Sequence, residues 1–521
     1  MSDDLAPDDR VPLHQPAREL TRREMLRAAG GLTFLALVPT GGRAFPFALP
    51  AATPETTAAP LLFTALPYIQ PGDSSRLIAG AESVVVAWQT EPRASTFTVE
   101  YGPTTTYGRT AAVAVAPRPG PTPEDGHLNY TAALMALDLG RTYRYRVREG
   151  GRTVVEGYFT TRKPRGTPIR FVAFGDNSYG DPGQRAIAWY AYQARPDFVM
   201  NTGDNVYESG LDSEYIKYFF PVYNTDVGGP TTGAPLIRTV PFYTVLANHD
   251  CHGKDANKHP VADLAKSPDA LGYFTAMHLP LNGPTAPPQP MPLVGDPAAF
   301  LASAGSRYPR MGTYSFDYGD AHFLCLDSNV YVDPTDPGWV TFIEQDLAST
   351  DATWKIVVYH HPAFNAGNEH YTEQQLRVLA PQLEQLGVSL VLNGHEHIYQ
   401  RSKPFTFLPD GPGGARDVGS GHRMVHGRFT VDNAYDGTHV TTPKGIIYVT
   451  TGAGGKELYD PGFSTAPEKW LHAEDDNVAY VARMFTDLHS FTVIEIDGGT
   501  LTLRQIDEHN VEVDRIRITK V

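Results

Sequence analysis

The stretch FVMNTGDNVY, residues 198–207, sets three apolar residues before a Gly-Asp turn and closes on a phenol. Phe198-Val199-Met200 is too short for a helix and reads as a buried strand. Asp204 and Tyr207, three positions apart, then stand at the C-terminal mouth of that strand. In open α/β sheets, ligand sites are built at that edge. Taken alone, Gly203-Asp204-Asn205-Val206-Tyr207 serves equally well as a helix cap followed by a surface aromatic. The rest of the chain decides between the two.

Moving outward from residue 204, the same grammar recurs. The apolar run 169–174 ends in Gly175-Asp176, and 242–246 leads to Asn248-His249-Asp250. The run 356–359 ends in His360-His361, and 389–392 in Gly394-His395-Glu396-His397. Strand after strand delivers a carboxylate, phenol, amide or imidazole at its end. Oxygen and nitrogen donors without thiolate suit a hard or borderline metal. The supply exceeds what one tetrahedral ion with an open position would use. Two ions roughly 3.5–4 Å apart, sharing one carboxylate, would consume it, as in many phosphoryl hydrolases.

Nearly continuous apolar strands, with amphipathic stretches at 184–193 and 373–386 between some of them, predict an α/β layering with both sheet faces covered. Residues 313–326 read as a hairpin, and 490–519 as another with its turn at Asp497-Gly498-Gly499. Two Pro/Gly-rich regions, about 251–310 and 403–443, read as long irregular loops. Upstream, 66–161 is all β: 83–88 is β-branched, 97–101 alternates, and Tyr143, Tyr145 and Val147 share a face opposite arginines. Turns fall at sandwich-like intervals, and Lys163-Pro164-Arg165-Gly166 forms a linker.

Composition bounds the function. A chain of 521 residues is long enough for two domains plus tails. A net charge of −15 argues against nucleic-acid binding by bulk attraction, though not against an anionic substrate held by metal ions. Two cysteines, Cys251 and Cys325, exclude a disulfide scaffold and a thiolate zinc cluster; both are expected as buried free thiols. Thr21-Arg22-Arg23-Glu24-Met25-Leu26 and the short apolar stretch 28–38 resemble a Tat export signal, and no other segment has the length and apolarity of a transmembrane helix.

The order GD, GDxxY, NHD, VxxH, GHxH resembles the metallophosphoesterases and, among them, the purple acid phosphatases. Most metallophosphoesterases carry a His two residues after the first Asp; here that position is Ser178, and Tyr207 supplies the missing donor. Residues 66–161, opening on Leu66-Pro67-Tyr68-Ile69-Gln70, resemble the fibronectin type III-like domain of the plant enzymes, and 137–143 resembles its tyrosine corner. The resemblance implies a Tat signal and Pro-rich lead over 1–52 and a fibronectin-like domain over 60–163. A calcineurin-like catalytic domain of four-layer αββα, α/β (α+β) architecture would follow over 168–521. It further implies Fe(III) on Asp176, Asp204, Tyr207 and His397. A divalent ion (Zn, Mn or Fe) would sit on Asp204, Asn248, His360 and His395, with Asp204 bridging. His249 and Asp250 would pair behind the metals, the imidazole aimed at the leaving group, and His370 would contact substrate. His361 is the alternative to His360, and VxxH spacing favours His360. Two positions depart from the family pattern: Ala247 stands for the usual Gly, and Glu369 for a His before His370.

The expected activity is hydrolysis of small phosphate monoesters by in-line attack of a metal-bound hydroxide, after Tat export to the periplasm, cell surface or medium. One alternative is a phosphodiesterase on the same site. Another, of a different class, is a surface binding protein with a residual metal site. An iron–calcium alkaline phosphatase of the PhoD-like kind would require a Cys ligand near the first motif, and none is there. His322 is expected to be structural, and His252 and His259 to be ordinary residues of the long loop after the third motif, with lining of the cleft as the alternative.

Overall fold

The structure, a computed structural model, describes residues 60–251, 262–285, 293–294, 297–411, 415–419, 422–471 and 478–520. The twin-arginine lead, His252 and His259 lie outside these residues. From Pro60 onward the chain forms one compact unit.

Two-residue alternation builds the first eight strands into a sandwich. One sheet has the order β1 (Phe63–Gln70), β2 (Glu82–Thr90), β6 (His127–Leu137), β5 (Val113–Arg118). The other has β4 (Arg109–Ala111), β3 (Phe97–Gly102), β7 (Thr142–Glu149), β8 (Arg152–Thr160). Val84, Val86 and Trp88 of β2 meet Tyr130, Ala132 and Leu134 of β6 and Tyr143, Tyr145 and Val147 of β7 in one buried cluster. The Tyr143 hydroxyl accepts the Asp138 amide at 3.1 Å, which ties β7 to the turn before it. The alternate residues of β2 face the other way, and Ala87 belongs to the core of the layered part. Arg162, ahead of the linker, is buried. It pairs with Glu82 and donates to the carbonyls of Ser75, Arg76 and Asp317.

The layered part holds two sheets. The first runs β11 (Phe242–Thr244), β10 (Phe198–Asn201), β9 (Ile169–Phe174), β25 (Ser490–Asp497), β26 (Thr500–Asp507), β27 (Glu512–Thr519). Its β9, β10 and β11 are parallel, and β25 joins β9 antiparallel. The second runs β14 (Tyr314–Tyr318), β15 (Ala321–Leu326), β16 (Trp354–Tyr359), β17 (Leu390–Asn393), β23 (Ile447–Thr451), β18 (Tyr399–Ser402), β24 (Val481–Phe485), parallel from β15 to β23. Aromatic rings interlock the sheets: Phe171 meets Phe323 at 5.3 Å and Phe198 meets Phe316 at 5.8 Å. Helix α1 (Pro182–Gln193) packs on β25; α2 (Ala298–Ala304) lies against β5 of the sandwich; α3 (Pro337–Ala348) packs on β15; and α4 (Ala380–Gln385) follows β16. The result is the expected mixed α/β layering of sheets covered by helices.

Three readings change. Residues 403–443 are not a loop throughout: β19 (Phe405–Pro409) pairs with β22 (Gly427–Val431), and β20 (Ala415–Gly419) with β21 (His422–Val425). Phe405, Phe407 and Phe429 pack around Phe364, so alternation was present but interrupted by turn residues. In 251–310, the described residues include α2, a turn of helix at Tyr273–Ala276 and a short ladder of β12 (Ala262–Asp263) with β13 (Leu293–Val294). The C-terminal hairpin has a third strand, β27. Helix α3 escaped notice although Asp336 caps it, accepting the amides of Gly338 and Trp339 before Pro337 sets the first turn. Cys251 and Cys325 are buried free thiols, as expected.

Candidate active site

Parallel strands bring their C-terminal ends to one edge, and the loops leaving β9, β10, β11, β16 and β17 carry the predicted residues there. The two sheets are tied together at this edge. His360, after β16, donates Nδ1–H to the Thr202 carbonyl after β10 at 2.8 Å. Asp176, after β9, accepts the His395 amide, which follows β17, at 3.0–3.1 Å. Asp176, Asp204 and His395 all adopt left-handed backbone, at φ 56°, 49° and 68°. Such conformations cost about 1–3 kcal/mol each and cluster where side chains must be aimed. Gly203 is required as glycine: its φ is 102°, and a Cβ there would stand 2.6 Å from His360 Nδ1.

Two groups of donors result. The Tyr207 hydroxyl lies 3.1 Å from both Asp176 Oδ1 and His397 Nε2, and His397 Nε2 lies 3.5 Å from Asp176 Oδ1. Beside it, donor atoms of Asp204, His360 and His395 lie within 4.8 Å of one another, with His360 Nε2 3.3 Å from Asp204 Oδ2. Each imidazole has one nitrogen tied to a carbonyl or carboxylate oxygen, and His397 Nε2 also meets the Tyr207 hydroxyl. His360 Nδ1 bonds Thr202 O, His397 Nδ1 bonds Glu457 O at 2.7 Å, and His395 Nε2 bonds Glu373 Oε2 at 2.9 Å. An imidazole that donates from one nitrogen presents a lone pair at the other, the second-sphere arrangement that orients metal-binding histidines. Asn248 Oδ1 and His360 Nε2 are buried with no hydrogen-bond partner. Unpaired buried acceptors of this kind fit cations.

Charge and burial pull the acids apart. Burial, followed by the neighbouring Asp204 charge, pushes the Asp176 carboxyl well up. Burial acts the same way on Asp204, but the His360 and His249 imidazoles prevail and hold it low. His360 is buried too, yet the carboxylates of Asp204 and Asp176 raise it to about 9. Burial pushes the Tyr207 phenol well up, as do the charges of Asp176 and Asp204, and it lowers His395 and His397.

The residues expected outside the metal set are placed differently from one another. His249 gives its amide to Asp204 Oδ1 at 3.0 Å and its Nδ1–H to the Glu208 carbonyl at 2.7 Å, with its ring 4.5 Å from that of Tyr207. Asp250 does not pair with that imidazole. Its carboxylate turns inward and accepts the amides of Asn205 and Ala247 and the Asn205 side chain, so it braces the loop; burial, then Asp204, pushes it up to about 8. His370 packs its ring 3.7 Å from that of His395. His361 turns Nδ1 to the Ser328 hydroxyl at 2.8 Å, and its buried, unpaired Nε2 forms with Glu373 and His395 a further group of close donor atoms.

Sequence reasoning missed Glu373. It is buried and accepts from His370 Nδ1 at 3.0 Å and from His395 Nε2, so one carboxylate fixes both rings. Its spacing of three from His370 was the available signal, at the head of the amphipathic stretch 373–386. Lys456 was also missed. Its ammonium lies 3.0 Å from Glu208 Oε1 and 3.3 Å above the Tyr179 ring. Tyr459 stacks on His397 at 4.0 Å. Glu369 is exposed.

Comparison with known proteins converges on this edge. Residues 169–399 match the family model of calcineurin-like phosphoesterases. Purple acid phosphatase 17 of Arabidopsis thaliana is 28% identical over 257 residues, which is 47% of this chain and 68% of that protein. Purple acid phosphatase 4 of the same plant is 26% identical over 242 residues, 42% of this chain and 58% of that protein. Tartrate-resistant acid phosphatase type 5 of Mus musculus is 24% identical over 333 residues, 57% of this chain and 91% of that protein. In fold, the chain is similar to purple acid phosphatase PPD1 from yellow lupin (Lupinus luteus) seeds, with TM-score 0.59 and 17% identity over 87% of this chain and 74% of that one. It is also similar in fold to PhoD, with TM-score 0.55 and 14% identity over 90% and 94%.

Proposed function

We propose, from the premise that residues 169–399 form a calcineurin-like metallophosphoesterase domain with purple acid phosphatase homologues, that this enzyme is an exported phosphatase of the purple type acting on small phosphate monoesters. The observation that carries the reading is the set of tied imidazoles facing Asp176 and Asp204, with Asn248 Oδ1 and His360 Nε2 buried and unpaired. Asp176, Asp204, Tyr207 and His397 would hold Fe(III). Asp204, Asn248, His360 and His395 would hold a divalent Zn, Mn or Fe ion, with Asp204 common to both. Such a pair supplies, when bound, Lewis acidity toward a phosphoryl oxygen and an activated water.

The chain's own groups do the rest. With Nδ1–H on the Glu208 carbonyl, His249 has Nε2 left for the departing alkoxide, to which it gives a proton. Its amide on Asp204 Oδ1 fixes that donor to the reacting centre. His370, held by Glu373, offers Nε2 to a phosphoryl oxygen. No protein group becomes phosphorylated, and in-line displacement inverts phosphorus.

The two four-stranded sheets and the Tyr143–Asp138 bond support a fibronectin type III-like domain over 60–163. The twin-arginine sequence supports Tat export to the periplasm, cell surface or medium. Among the described residues, no helix is long and apolar enough to cross a membrane.

A phosphodiesterase is the second reading, favoured by the exposed Glu369 carboxylate beside His370, which repels a dianion. The ratio of kcat/KM on nitrophenyl phosphate and bis-nitrophenyl phosphate decides between them. The central test is elemental analysis with visible spectroscopy on purified full-length protein. Two ions per chain and a broad phenolate-to-iron band, bleached in Tyr207→Phe with the fold intact, are expected. Active protein with one ion per chain overturns the binuclear site, and active protein without the band overturns the iron assignment.

A further inference from the structure

His360 and His361 are consecutive, and the chain turns between them as it leaves β16, so that their rings stand 5.1 Å apart at 88°. Each therefore serves a different group of donors. His360 Nε2 faces Asp204 Oδ2 at 3.3 Å. His361 is anchored at Nδ1 by the Ser328 hydroxyl, and its Nε2 lies 3.9 Å from Glu373 Oε2. His395 Nε2 lies 2.9 Å from the same oxygen, and the His361 and His395 rings are 4.3 Å apart. One donor atom from each of His361, Glu373 and His395 lies within 4.8 Å of the others, and all three side chains are buried.

His361 Nε2 has no hydrogen-bond partner, which is uncommon for a buried ring nitrogen. A bare cation suits this place where a larger ligand would not. Zinc sits about 2.0–2.2 Å from imidazole nitrogen and carboxylate oxygen. The 3.9 Å between His361 Nε2 and Glu373 Oε2 is close to two such bonds. Donors this near one another leave no room for water between them, so their burial agrees with an ion held directly. Two imidazoles and one carboxylate, without thiolate, suit zinc or another borderline divalent ion. The group takes nothing from Asp176, Asp204, Tyr207 or His397, but it shares His395 with Asp204 and His360. Sharing couples the two groups, because a neutral imidazole has one lone pair and serves one ion at a time. With Nε2–H on Glu373, that lone pair is at Nδ1. To ligate from Nε2, His395 gives up this proton and takes one at Nδ1, with no net change in protonation.

We propose that His361, Glu373 and His395 form an additional, inhibitory site for a divalent cation, whose filling draws His395 away from Asp204, Asn248 and His360 and so slows turnover. The inhibition rests on the reading of His395 as a ligand of the divalent ion of the phosphoester centre; the site itself does not. The test uses full-length protein carrying its resident ions, zinc as the probe, and His361→Asn, whose amide keeps a group for Ser328 and has none in the place of Nε2. Equilibrium dialysis against buffered zinc should show about one zinc per chain beyond the resident ions in wild type, and its loss in the variant. The zinc concentration that halves turnover of nitrophenyl phosphate, each protein being compared with its own zinc-free rate, should rise at least about tenfold in His361→Asn. If His361→Asn fails to fold, His361→Phe, which keeps a ring there, takes its place. No additional zinc on wild type, or equal uptake by wild type and variant, overturns the site. Additional zinc with no inhibition, or with equal inhibition of both proteins, overturns the coupling. A protein without phosphatase activity would fail the proposed function, while dialysis still decides the site.

Discussion

Glu373 shows how one buried carboxylate can fix two imidazoles at the candidate site. Its two oxygens accept from His395 and His370, and although burial opposes its ionisation, those imidazoles hold its carboxyl well below the usual range. Glu373→Gln leaves the shape but loosens both rings. Occupancy of the divalent ion, measured by elemental analysis after dialysis against chelator, should drop about 10–100-fold in affinity, with the iron-linked visible band kept. His249→Ala should lower kcat by roughly 10²–10⁴-fold on alkyl phosphates with poor leaving groups, and much less on nitrophenyl phosphate. Equal losses on both would reduce His249 to a positioning role. The convergence of the seven candidates at one sheet edge was legible because each follows an apolar run, which fixes its place once the sheet is inferred. Glu373, Lys456 and Tyr459 were not, because they enter from loops whose path depends on packing between sheets. Asp250 was misread for a related reason: sequence adjacency to His249 says nothing about which way a side chain turns in a tight loop.

Among the elements, the hairpin β14–β15 carries a buried charge device of its own. His322 on β15 donates to Asp317 on β14 at 2.7 Å and to Asp346 on α3 at 2.8 Å, with Arg76 3.6 Å from Asp317 and 3.9 Å from Asp346. Burial pushes this imidazole down, but the two carboxylates outweigh it and raise it above the ordinary value. A group with a raised folded value stabilises fully below its unfolded value of about 6.5 and loses that contribution as pH climbs through the folded one. His322→Gln should therefore destabilise by roughly 2–3 kcal/mol at pH 6 and by less at pH 9. Urea midpoints at the two pH values check this, and an equal loss at both would remove the imidazolium from the account. Strands were legible wherever alternation or a continuous apolar run was clean, as in β2, β9 and β17. The ladder of β19 with β22 was not, since its Phe residues are separated by Gly and Pro, which locally favour turns and yield here to aromatic packing.

For the whole molecule, export is the claim closest to the sequence. Arg22→Lys combined with Arg23→Lys should leave the enzyme in the cytoplasm, read by fractionation and phosphatase activity; unchanged appearance outside it would remove the Tat reading. The fold carries a related consequence in the position of β25. Arg170 of β9 faces Glu495 of β25 across 325 positions of chain, and Thr492 of β25 bonds Thr451 of β23 in the opposite sheet. A ribosome adding about 5–20 residues per second has made every candidate metal-binding residue, Asp176 through His397, well before it makes this strand. Until then, nascent β9 lacks its inner neighbour, and the loop that aims Asp176 hangs from an unfinished sheet. The loop that aims Asp176 thus gains its full support only once β25 has been made, after every candidate metal-binding residue.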